Sequence, residues 1–169
     1  SDFFIDTVSP VISELIPVPS RTNDPAPSYT FHSSEAGVIS YSGSCSSSDS
    51  TANKGSNTIT FATLASGSYN DCVITVTDSA GNADALSVTS FSVDDISPSV
   101  TSSYPANNET SVPLSPDIVV IFTEPMDLAT VTTNTTDTNC TGAIQLSKTS
   151  GFSSCVKMSS TPFVSNSYR

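Results

Sequence analysis

The chain contains no tryptophan, one histidine (His32) and two methionines. Lysine and arginine together number 5, against 16 aspartates and glutamates, for a net charge of −11. Each shortage excludes something. So few cations leave no patch that could release counterions from a nucleic acid, and the acidity repels anionic membrane surfaces. No nucleic-acid partner is expected. No apolar run approaches the ~18 residues of a membrane span, so no membrane insertion is expected of this segment. No signal-peptide pattern opens the sequence; a secreted protein would carry that signal upstream or have lost it. One histidine and no Cys-x-x-Cys pair leave no ligand set for zinc. Leu, Met and Lys are scarce, and no long apolar stripe of helical period runs through the 169 residues.

What is abundant is serine and threonine, about a third of the chain. Small hydroxyl and β-branched residues suit pleated surfaces and turns and make poor helix interiors, so the sequence reads as all-β. The four cysteines are Cys45, Cys72, Cys140 and Cys155. Their even number, with a pair in each half, favours two intradomain disulfides and an oxidising compartment.

A phrase repeats. Phe3 to Val11 reads FFIDTVSPV, and 88 residues later Phe91 to Ser99 reads FSVDDISPS. That period is far longer than a solenoid repeat and close to the roughly 100 residues of a small β-sandwich. Residues 1–6 are expected to end a preceding domain or linker, with Phe3–Ile5 as its closing strand. Residues 7–94 form one unit, and residues 95–169 begin a second that stops early. The first unit parses into six short strands. They are Val11–Val18 (an edge strand, because of Pro17 and Pro19), Ser28–Ser33, Val38–Gly43, Asn57–Leu64, Cys72–Asp78 and Ala85–Val93, with loops at 21–27, 45–57 and 65–71; the parse suggests a Greek-key sandwich.

The first unit resembles the bacterial immunoglobulin-like repeats of long surface adhesins. The matching residues are Asp6-Thr-Val-Ser-Pro10, the Thr-Asn-Asp-Pro loop at 22–25, Tyr29-Thr-Phe31 with Glu35-Ala-Gly37, Gly67-Ser-Tyr69 and Thr77-Asp-Ser-Ala-Gly-Asn82. The second unit is similar to an S-layer-type bacterial Ig-like domain, through Tyr104-Pro-Ala-Asn107, Ser111-Val-Pro-Leu114 and Ile118-Val-Val-Ile-Phe-Thr-Glu-Pro-Met-Asp127. In that reading Ile118–Phe122 is a strand buried on both faces. The resemblance implies tandem Ig-like Greek-key sandwiches, the second one incomplete at its C-terminal end.

In such a sandwich the incoming chain meets the loops that follow the second and sixth strands. Asp6, Glu35, Asp78, Asn82 and Asp84 are therefore expected near one point, and Asp94 and Asp95 would repeat the arrangement at the next joint. Ca²⁺ takes six to eight oxygen ligands, which carboxylates and loop carbonyls supply, so calcium is the candidate cofactor at the joints, the alternative being solvated turn residues. Acidic and amide residues in turns also serve their own backbone bonds.

Catalytic signals are weak. His32 lies in an alternating strand, no Gly-x-Ser-x-Gly elbow is present, and Asp49 lacks a partner carboxylate. Of Lys54, Lys148 and Lys157, candidates for a lysine–asparagine crosslink, only Lys157 has an apolar-alternating setting. Asn108, Asn134 and Asn139 fit the glycosylation pattern, which arises easily in Ser/Thr-rich sequence. The expected function is a non-enzymatic, extracellular stalk or spacer of a bacterial cell-surface protein. Its partners are the neighbouring Ig-like domains of the same chain. The alternatives are a fibre subunit that self-associates by strand exchange, and an accessory carbohydrate-binding module of a secreted enzyme.

Overall fold

Apolar side chains alternate along Tyr29–Phe31 and Ile74–Val76, and that alternation builds the core. In the computed structural model, which describes residues 5–148 and 150–164, these four side chains are buried together. All regular structure is β. The chain divides into two compact units, Ser1–Ile96 and Ser97–Arg169.

In the first unit, β1 (Ile12–Ile16), β3 (Ser28–Ser33) and β6 (Gly55–Thr60) form one antiparallel sheet in the order β1-β3-β6. A second sheet runs β5-β4-β8-β9, from β5 (Thr51–Ala52), β4 (Gly37–Ser42), β8 (Val73–Thr77) and β9 (Ala83–Ser87). The inner faces meet through Phe31 and Ile59 on one side and Ile39, Ile74 and Val76 on the other. A third sheet, β2-β10-β7, joins β2 (Arg21–Thr22), β10 (Phe91–Val93) and β7 (Gly67–Tyr69). Here Phe91 stacks on Tyr69 at 5.3 Å and on Phe61 at 6.1 Å between ring centroids. Fully burying a ring such as Phe61 or Phe91 contributes roughly 1.5–3 kcal/mol, so these aromatics fasten the third sheet to the core.

Several strands differ from their sequence reading. The loop at 21–27 contains β2, which pairs in parallel with β10, Arg21 opposite Ser92. The loops at 45–57 and 65–71 contain β5 and β7. The single closing strand Ala85–Val93 is two strands in different sheets, β9 and β10, broken at Val88-Thr89-Ser90. Distant partners decide these short pairings, and local alternation carries no sign of them. Phe3 and Phe4 lie outside the described residues; Ile5 is in no strand and is 69% exposed.

Cys45 pairs with Cys72, tying the segment after β4 to the start of β8, and Cys140 pairs with Cys155 in the second unit. Gly43, at the end of β4, has φ +79°, and a Cβ there would lie 2.0 Å from the carbonyl oxygen of Asp71. Only glycine fits that corner.

The second unit has one antiparallel pair, β11 (Val100–Tyr104) with β12 (Val119–Phe122). Beyond it, isolated bridges join Thr133 to Ile144 and Ser147 to Cys155. The expectation of a strand buried on both faces is corrected here. Val119, Val120 and Phe122 are half-buried and Ile121 is exposed, because among the described residues β12 has one neighbour strand in a two-stranded sheet.

Candidate functional site

Register places the acidic residues. Ile12 of β1 lies opposite Ser33, so the incoming segment with Asp6 runs beside the β3–β4 turn that carries Glu35. Val38 of β4 lies opposite Thr77, which brings the β8–β9 turn, with Asp78 and Asn82, to the same end. Carboxylate oxygens of Asp6, Glu35 and Asp78 lie within 4.8 Å of one another. Asp6 is exposed, Glu35 half-buried and Asp78 buried.

Asp78 is fully engaged by its own turn. Asn82 Nδ2 donates to its Oδ2, and the backbone N–H groups of Ala80 and Asn82 donate to its Oδ1, each at 2.8 Å. The Asn82 amide is the main reason the Asp78 carboxyl sits below the usual carboxylate range; burial opposes the shift, and the N–H groups of Asn82 and Ala80 reinforce it. Asn82 Nδ2 also reaches the backbone oxygen of Asp6 at 3.3 Å. Asn82 thus ties the incoming chain to the β8–β9 turn.

The other expected residues are elsewhere. Asp84 faces β1, where its Oδ2 accepts from the N–H of Ile12 at 3.1 Å, so it caps a strand rather than joining the triad. Asp94 and Asp95 follow β10 at the opposite end of the unit, and Asp95 bonds the Ser66 hydroxyl. Among the described residues no other three acidic, histidine or cysteine ligand atoms come so close together. The two copies of the repeated phrase do share one local bond. Asp6 Oδ1 accepts from the N–H of Val8 at 3.1 Å, and Asp94 Oδ1 accepts from the N–H of Ile96 at 3.4 Å.

His32 is half-buried in β3. Asp49 serves the fold: its Oδ2 accepts from the N–H of Thr60 at 3.0 Å, and its backbone oxygen accepts from the Tyr41 hydroxyl at 2.6 Å. Beside it, an open groove of about 380 Å³ is lined mainly by serine, threonine and asparagine. Lys54, Lys148 and Lys157 are all exposed, so the apolar setting expected for Lys157 is not found. Asn134 and Asn139 spend their side-chain amides on Asp137, at 2.6 and 2.7 Å.

Sequence reasoning missed one carboxylate, Glu14. It accepts from the Tyr29 hydroxyl at 3.0 Å, the Thr89 N–H at 3.1 Å and the Thr89 hydroxyl at 2.8 Å. Its only trace in the sequence is a charge inside an otherwise apolar strand, Ile-Ser-Glu-Leu-Ile.

One comparison bears on the second unit. Residues 94–162 match the family model of a bacterial Ig-like domain. The bacterial Ig-like match spans β11, β12 and the Cys140–Cys155 disulfide. No curated protein and no solved structure matches the chain at a significant level.

Proposed function

We propose that this chain is a non-enzymatic structural segment, a stalk or spacer of tandem Ig-like domains in a bacterial cell-surface or secreted protein. One observation carries the reading: the region matching a bacterial Ig-like domain directly follows a disulfide-stapled β-sandwich. The first sandwich is then an adhesin-type repeat and the second an S-layer-type one. Two disulfides suit an oxidising, extracellular setting.

Electron microscopy with size-exclusion chromatography tests the role. Monomeric particles support the stalk, and ordered polymers replace it with a strand-exchanged fibre. Among the described residues the β11–β12 sheet has no further strand on either outer edge, which favours the fibre as second reading. A cation is the finer part of the proposal. Three carboxylates so close repel one another, and Ca²⁺ bound to Asp6, Glu35 and Asp78 would relieve this and stiffen the joint. Calorimetric titration tests it; no heat with Ca²⁺, and no thermal shift against EDTA, removes the cation and leaves the stalk.

A further inference from the structure

Resting on the stalk reading, we infer that Glu14 is a mechanical latch that fastens the incoming strand of the first unit to the segment leaving it. In a stalk, tension enters at β1 and leaves after β10. One pairing on that path, β2 with β10, is arranged for sliding rather than peeling. β2 and β10 run parallel, Thr22 opposite Val93. Ser92 N–H donates to the Ser20 oxygen at 3.0 Å, and Asp94 N–H donates to the Thr22 oxygen at 2.9 Å. Parallel strands pulled from the start of one and the end of the other load these bonds together.

Among the described residues β1 pairs with β3 alone. Two further side-chain links tie β1 to β9 and to the corner between β9 and β10. Asp84 holds the Ile12 N–H, and Glu14 holds both donors of Thr89, two residues before β10 begins. Glu14 also takes the hydroxyl of Tyr29, whose side chain is fully buried in β3. One carboxylate therefore joins the incoming strand, a core strand and the outgoing corner. Charge-assisted bonds of this kind are about twice as strong as neutral ones. For the incoming strand to slide, all three must break.

Force-clamp measurements on the full chain, tethered at its two ends, test the latch. Rupture of the first unit is recognised because reducing Cys45–Cys72, which spans 27 residues, lengthens its step more than reducing Cys140–Cys155, which spans 15, lengthens that of the second. Glu14→Ala is expected to speed rupture of the first unit about tenfold at constant force, and not that of the second. Thr89→Val is expected to speed it less, and Thr89→Ser, which keeps the hydroxyl, to match the unaltered chain. In urea, without load, the Glu14→Ala acceleration is expected to be smaller. An unchanged rupture rate overturns the latch, as does an equal acceleration in urea or a Thr89→Ser chain as weak as Thr89→Val. If the unaltered units both extend under negligible force, the stalk reading fails and takes the latch with it. If they resist and only the variant effects are missing, the latch alone fails.

Discussion

Asp78 and Glu14 owe their state to hydrogen bonds that exist only in the folded chain. Burial pushes the Glu14 carboxyl up, but the bonds from Thr89 and Tyr29 outweigh it and hold the group below its ordinary range. Asp78 is held low chiefly by Asn82. A carboxyl depressed on folding stabilises the protein above its unfolded pKa, and that stability is lost as pH falls through the folded value. Both groups therefore steepen the acid limb of stability below about pH 4.5 and leave neutral pH flat. Urea unfolding from pH 7 to pH 2.5 should show Asp78→Asn less stable than the parent at pH 7, with the difference shrinking as pH falls. A constant difference across that range would mean that the charge is irrelevant and only turn shape matters. The convergence of Asp6, Glu35 and Asp78 was legible because the Ig-like sandwich that the sequence resembles brings those turns to one end. Asp84 was misplaced because its direction depends on β9 lying beside β1, which no local pattern records. Glu14 was invisible for the same reason, since its partner Thr89 is 75 residues away.

At the scale of elements, long alternating strands such as β3 and β8 could be read directly, whereas β2, β5 and β7 could not. Each of these is two or three residues long and exists through its partner. Other contacts are needed to hold such short pieces, and the Cys45–Cys72 link is the strongest. Closing a 27-residue span, it should contribute about 3.5 kcal/mol in the chain-entropy model, against about 3 for Cys140–Cys155. Replacing Cys45 and Cys72 by alanine should therefore lower the urea midpoint of the first unit by a corresponding amount; a loss under about 1 kcal/mol would show that the reduced chain is already constrained. Edge protection is a second device at this scale. β6 ends its sheet, and Asp49 occupies the N–H of Thr60 on its free side. The Ser47 hydroxyl covers the Thr60 oxygen at 2.6 Å. Asp49→Ala should cost about 1 kcal/mol, because the residue is exposed, and should expose the edge to pairing with other chains. Sedimentation velocity at rising concentration checks this, and a strictly monomeric variant would show that the groove walls suffice as cover.

For the whole molecule the governing quantity is the charge of −11. Self-repulsion of this size opposes the compact state and is screened by salt over about 10 Å at 0.1 M. The melting temperature should accordingly rise with sodium chloride and level off once screening is short-ranged. Calcium would act through the same term, so a thermal shift in Ca²⁺ alone does not separate general screening from a site. The separation comes from matching ionic strength. Screening predicts equal shifts for calcium and sodium salts and similar losses on neutralising any three surface acids. A joint site predicts a larger shift with calcium, saturating at low concentration. Asp6→Asn combined with Glu35→Gln should abolish that excess, while Asp94→Asn combined with Asp95→Asn should not, because those two residues lie at the other end of the unit and join no such cluster among the described residues. Equal shifts for the two salts at matched strength would assign the triad to the turns that carry it.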